Sequence, residues 1–246
     1  MEKKKQTFIE HLEELRKRLI ISLLAVGIGF SICYIFSEKI FQLLMIPLQE
    51  TLPAGASMIF THLPEAFFTY LKVALLAGMF LASPVVLYQI WLFVAPALYS
   101  HEKKYVIPFV SLSTILFIGG AAFGYFIVFP FGFKFFLSFA TDFIQPAPKI
   151  KEYLSFCSIL LLTFGLVFEL PLFILFLAKL GVVDAKMLSR NRRYVVLGMF
   201  VAAAILTPPD VVTQLMMAGP LLLLYEVSIW VAKIFGTKRE VEKAAE

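Results

Sequence analysis

The sequence predicts an all-α integral membrane protein, and three observations carry that reading. Of its 246 residues, 60% are hydrophobic and only 16% are charged, with a mean hydropathy of +0.87. Apolar runs long enough to cross a bilayer recur along the chain. Lys and Arg gather at the ends of those runs. No soluble domain of this length has so much apolar surface to hide. The formal net charge of +5 and the pI near 9.1 would suggest nucleic acid in a soluble chain. At span ends they signal topology and anionic lipid, so the partner expected is the bilayer and not nucleic acid.

Residues 1–18 begin the chain with an amphipathic segment. Phe8, Leu12, Leu15 and Leu19 share one helical face, and Glu10, Glu13, Glu14, Arg16, Lys17 and Arg18 cover the others. This predicts a cytoplasmic helix lying on the membrane surface before the chain turns inward. No cleavable signal peptide is expected, since the first apolar run lacks a small-residue cleavage site.

The first span covers about 19–36. The loop after it holds a short amphipathic helix over 38–44, which Pro47 is expected to stop. The second span, 66–94, is overlong and contains Pro84, which predicts a kink or tilt. The third, 107–130, carries Gly120-Ala-Ala-Phe-Gly124, small residues spaced for close helix contact. An aromatic-rich stretch from Phe123 to Phe143 follows, and it fits an interfacial belt.

The fourth span, 153–180, holds one acid, Glu169. At ~1.5 Å per residue, that acid lies roughly 15 Å from Lys179. An ionised side chain at such depth costs at least ~2.5–3.5 kcal/mol, so Glu169 must be neutral, hydrated or paired. Pro171, two residues on, removes a backbone donor and should bend the helix beside the acid. A wet, concave intramembrane site is one reading; an acid hydrogen-bonded for packing alone is the other. Gly181 is placed to cap this helix, and Asp184 to start a short one.

The last two spans, 194–207 and 211–230, are short for a bilayer. Fourteen residues make roughly 21 Å of helix against ~30 Å of hydrocarbon. Such a hairpin crosses only by thinning the bilayer or drawing its ends inward; a re-entrant pair is the alternative. A charged tail, 236–246, completes a single polytopic domain without internal repeats. With six spans, one face receives sixteen Lys and Arg and the other receives Lys39, Lys134, Lys149 and Lys151. Both termini are therefore expected to be cytoplasmic.

Catalytic parts are scarce. His11, His62 and His101 fall outside the spans, and Cys33 and Cys157 lie in apolar runs as packing residues. No metal, cofactor or catalytic site is expected, and an intramembrane hydrolase would lack its base. Two acids, Glu14 and Glu102, stand at membrane edges among Lys and Arg. Glu14 with Arg18 makes an ordinary i,i+4 pair, and Glu102 suits a first helical turn after Ser100. The sharper reading is a receptor site, because a carboxylate takes a guanidinium in a bidentate pair that lysine cannot reproduce.

Four stretches, HLEELRKRL, SPVVLYQIWLFVAPALYSHEKK, FGLVFELP and LTPPDVVTQ, resemble the twin-arginine protein translocase subunit TatC family. They stand in the family's order and cover nearly the whole chain, apart from the tail after about residue 235. The resemblance implies a curved, concave six-helix fold in the cytoplasmic (inner) membrane. It also implies a receptor for twin-arginine signal peptides that moves folded proteins by the protonmotive force. The partners implied are single-span TatA- and TatB-type subunits, within a complex that holds more than one copy of this chain.

Matched position by position, Glu14 and Glu102 are the acids that meet the arginine pair, with Arg16 beside the first. Phe93, Leu98 and Tyr99 lie in the same matched stretch as Glu102. Pro47 matches a functional proline of the first outer loop, and Glu169 the family's intramembrane acid. Thr207, Pro208, Pro209, Asp210 and Gln214 match the tip and start of the short hairpin, where partner subunits could dock. A rival from another class is a small proton-coupled secondary transporter with Glu169 as proton carrier. Against it, the sequence shows neither paired repeats nor a second intramembrane charge to form a relay.

Overall fold

The structure, a computed structural model, describes residues 8–53, 57–94, 106–141, 143–206 and 211–236. Ten α-helices and one π-helical turn account for most of them. These are α1 (Phe8–Ile35), α2 (Ser37–Gln49), α3 (Glu65–Val94), α4 (Val106–Phe123), α5 (Phe129–Leu137), α6 (Ile150–Phe168), α7 (Leu170–Lys179), α8 (Ala185–Arg190), α9 (Arg192–Leu206) and α10 (Val211–Phe235). The π turn, Gly124–Val128, joins α4 to α5. Among the described residues, five runs are long and apolar enough to cross a membrane: Ile9–Ile35, Glu65–Val94, Val106–Leu137, Ile150–Lys179 and Val211–Phe235. The all-helical fold class read from composition is thus the fold observed.

Three expectations are corrected. The amphipathic start is no separate surface helix, because α1 runs unbroken from Phe8 through the first span. Glu-Glu-Leu-Arg-Lys-Arg are good helix formers with no Gly or Pro among them, so nothing local ends the helix. Its 28 residues reach about 42 Å, more than the hydrocarbon needs, so charged turns project beyond it. Pro47 does not stop α2, which continues to Gln49. Near a C-terminus a proline forfeits one backbone donor, and burial of Leu44, Pro47 and Leu48 favours keeping the turn. The last helix is also longer than expected, with 25 residues and Pro220 inside it.

That length still leaves a short hairpin. Arg192 at the start of α9 meets Glu226 of α10 at 2.8 Å. Fifteen residues of α9, about 22 Å, separate this charged level from the hairpin's tip. Gly181 has φ +70° and closes α7 as predicted. Asp184 caps α8, its Oδ1 accepting from the Met187 amide at 2.5 Å.

The helices gather into two compact units. One holds the described residues up to Ile118 together with Phe129–Ser158; the other holds Gly119–Val128 and the described residues from Ile159 on. In the first, α1 packs along α3 where Gly29 faces Gly78: a Cβ on Gly78 would stand 2.5 Å from the Phe30 nitrogen. The aromatic stretch is only partly a belt. Phe129 and Phe133 are buried and stack with Phe156 and Tyr153, whereas Phe131, Phe139 and Phe143 remain exposed. Helical spacing sorts these rings into an inner and an outer face.

In the second unit, α10 packs against α7, α8 and α9. The Gly120–Gly124 face does admit a close neighbour. A Cβ on Gly120 would lie 2.3 Å from the Phe164 carbonyl oxygen and 2.9 Å from the Phe168 Cβ. Gly120→Ala should therefore destabilise the protein by about 1–3 kcal/mol through overpacking against backbone. Gly119→Ala, with nothing within 4 Å of the added carbon, should leave stability unchanged or slightly raised. Thermal unfolding in detergent compares the two. Equal midpoints would mean that the Gly120 contact relaxes freely.

Candidate functional site

Glu14, His11 and Arg18 occupy one face of α1, and Gln89 and Phe93 answer them from α3. The Glu14 carboxylate accepts through Oε1 from both Arg18 Nε, at 3.1 Å, and Arg18 Nη2. Arg18 Nη1 also donates to Gln89 Oε1 at 3.4 Å. The His11 ring stacks on Phe93 with centroids 4.5 Å apart and planes 22° from parallel. Antiparallel packing of α1 and α3 makes this cluster, since i, i+3, i+7 on one helix meets i, i+4 on the other.

Glu14 and Phe93 are thus brought to one patch, and the i,i+4 pair weighed from sequence is present. Arg16 is not part of it. That side chain is exposed and lines a shallow groove with Glu13, Lys17, Ile20 and Ile21. Leu98, Tyr99 and Glu102 lie outside the described residues, as do Thr207, Pro208, Pro209 and Asp210. Glu14 retains unused capacity: its Oε2 is buried and has no hydrogen-bond partner among the described residues. A half-used carboxylate has acceptor capacity for a second guanidinium.

Glu169 lies between α6 and α7, at the break predicted from Pro171. The Glu169 amide donates to the Leu166 carbonyl at 3.1 Å, a tightened turn, and its own carbonyl accepts from Phe173 at 2.9 Å. Pro171 sits at the start of α7, where a missing amide is tolerated. The side chain is half-buried, and its Oε1 lies among the buried oxygens. Nearby, Phe123 packs on Phe164 and Phe168 at 5.5 Å each, so the α6 end that presents the acid is walled by rings.

Gln214 ties the hairpin together, its Nε2 donating to the Phe200 carbonyl at 3.0 Å across α10 and α9. Pro47 lies buried in α2, one turn from Leu44, whose carbonyl accepts from Tyr153 Oη at 2.5 Å.

Sequence reasoning missed Glu65. This buried side chain accepts at Oε2 from the Thr61 amide (2.8 Å), Thr61 Oγ1 (3.2 Å) and the His62 amide (3.2 Å). Its Oε1 accepts from the Lys151 amide at 3.0 Å. One carboxylate therefore fastens the turn ahead of α3 and caps the first turn of α6, beside a backbone contact in which the Ile59 amide donates to the Pro148 carbonyl and the Ile150 amide to the Ile59 carbonyl. A Thr followed four residues later by Glu was the available local signal, close to a capping box but for the extra residue. The partner at Lys151, 86 residues away, left none.

Comparison with known proteins gives one consistent family. Residues 10–220 match the family model described as Sec-independent protein translocase protein (TatC). The chain is 55% identical to the Sec-independent protein translocase protein TatC of Desulforapulum autotrophicum, over 100% of this chain and 92% of that one. It is 40% identical to the protein of the same name from Escherichia coli K12, over 96% and 92%. Among solved structures it is similar to a crystal structure of the twin-arginine translocase receptor TatC, with TM-score 0.82 and 43% identity over 91% of this chain and 98% of that one.

Proposed function

The chain belongs to the TatC family of Sec-independent protein translocase proteins, and from that premise we propose that it is the receptor and core subunit of a twin-arginine translocase. It is a multi-pass membrane protein and a component of a transport system. Its task, in this reading, is to bind the paired arginines of a signal peptide at the cytoplasmic end of α1 and α3. Folded passengers then cross with the help of TatA- and TatB-type subunits, driven by the protonmotive force.

The observation that carries this reading is the divided pairing of Glu14. Arg18 holds one carboxylate oxygen and also reaches Gln89. An incoming guanidinium could take Glu14 in a bidentate pair while Arg18 shifts its weight to Gln89. A lysine ammonium offers a point charge and no fork, so it gains less from the same exchange. Glu102 would complete the acidic site, with Phe93, Leu98 and Tyr99 beside it and Arg16 keeping the approach hydrated. Gln214 and the 207–210 tip would serve the partner subunits, with α9 as a sixth, short crossing through thinned lipid.

Glu14→Ala is expected to weaken binding of an Arg-Arg signal peptide about tenfold, and of a Lys-Lys peptide much less. Fluorescence anisotropy of labelled peptides on the purified, folded protein measures both. Equal losses for the two peptides, or none, would move the receptor site away from Glu14.

A further inference from the structure

We propose that the pocket between the N-terminal ends of α3 and α6 is a binding site for one anionic phospholipid, with its phosphate at Lys72 and Lys151 and an acyl chain along α1 and α3. The pocket has a volume of about 430 Å³ and is lined by His62, Glu65, Phe68, Lys72, Lys151 and Leu154 among others. A second, more open groove of about 470 Å³ shares Phe68 and Lys72 as walls and continues over Gly27, Phe30, Leu71 and Leu75. A chamber with two lysines and a carboxylate in its wall thus opens onto an apolar trough.

Charge decides the occupant. The Glu65 carboxylate is already matched by four donors, from Thr61, His62 and Lys151. Lys149, close by, is engaged by Glu152 at 3.4 Å. The ammonium groups of Lys72 and Lys151 have no hydrogen bond or ion pair to any described residue. Two ammonium groups against one satisfied carboxylate leave the lining net positive.

Depth decides the source. Lys72 lies seven residues into α3, about 10 Å along an apolar helix. A cation there needs water or a counter-ion, and its flexible stem can bring the head to the level of lipid phosphates. A soluble anion would leave the adjoining apolar groove empty, whereas a phospholipid fills both volumes with one molecule.

The test places a benzophenone-bearing residue at Leu75 of the full chain, purified in neutral detergent. Samples are offered phosphatidylglycerol or phosphatidylcholine of identical acyl chains, illuminated, and the lipid adduct is read by mass. Phosphatidylglycerol is expected to be captured about 30-fold more efficiently, from two lysines facing its headgroup. Combining Lys72→Gln with Lys151→Gln should abolish that preference, and combining Lys72→Arg with Lys151→Arg should keep it. A Gln pair that retains the preference, or an Arg pair that loses it, overturns the proposal. So does equal capture of the two lipids by the wild-type lysines, an arm that needs no folded variant. Displacement of the lipid by millimolar glycerol 3-phosphate would make this a soluble-phosphate site instead and sink the lipid assignment.

Discussion

Glu65→Ala is expected to lower the thermal midpoint of the purified protein by on the order of 5–10 °C. The carboxylate accepts from three groups of Thr61 and His62 and from the Lys151 amide. Alanine leaves these four donors without the acceptor that matched them. Glu65→Gln separates the two duties. Its carbonyl can still receive Thr61 and His62, but the amide nitrogen then opposes the Lys151 amide, donor against donor. The expected result is an intermediate midpoint, with faster hydrogen exchange at Lys151 and retained protection at Thr61 and His62. Unchanged exchange at Lys151 in the Gln variant would show that Glu65 only fastens the turn ahead of α3.

Legibility followed the range of the signal. The break at Glu169 was readable because Pro171 acts on its own turn, and Gly181 and Asp184 cap from within three residues. Gly120 was readable as a contact face, though its partner, the Phe164 carbonyl, was not. The errors also have local causes. An amphipathic start and an apolar continuation look like two helices, yet no breaker divides α1. Pro47 looks like a stop, yet tertiary burial holds α2 together past it. The last span, read to residue 230, falls short of α10, which runs on to Phe235 because no Gly or Pro interrupts it there.

The candidate site was half legible. Glu14 with Arg18 follows from i,i+4 spacing alone, and the resemblance supplied Phe93. The part played by Gln89 and the stacking of His11 on Phe93 depend on the register of α1 against α3. That register is set by a contact between Gly29 and Gly78, far along both helices. Glycines are common in membrane helices, so the pair carries no mark of itself in a single sequence. The same holds for the π turn at Gly124–Val128, whose extra residue per turn has no composition signal.

Glu169→Ala is expected to reduce transport of folded passengers about tenfold or more while leaving signal-peptide binding intact. The acid sits at a helix break, half-buried, with one oxygen in the interior and ring-lined α6 beside it. If its work is hydrogen bonding, Glu169→Gln keeps a donor and an acceptor at nearly the same volume. Transport should then rank wild type, Gln, Ala, with Gln within a few-fold of wild type. If the group must carry a charge or a proton, Gln fails as Ala does, and Glu169→Asp restores part of the rate. Export by membrane vesicles, measured alongside peptide binding to the purified variants, separates these cases. Gln as inactive as Ala would shift the assignment to charge or proton chemistry, and an Ala variant with full transport would reduce Glu169 to a packing contact at the bend.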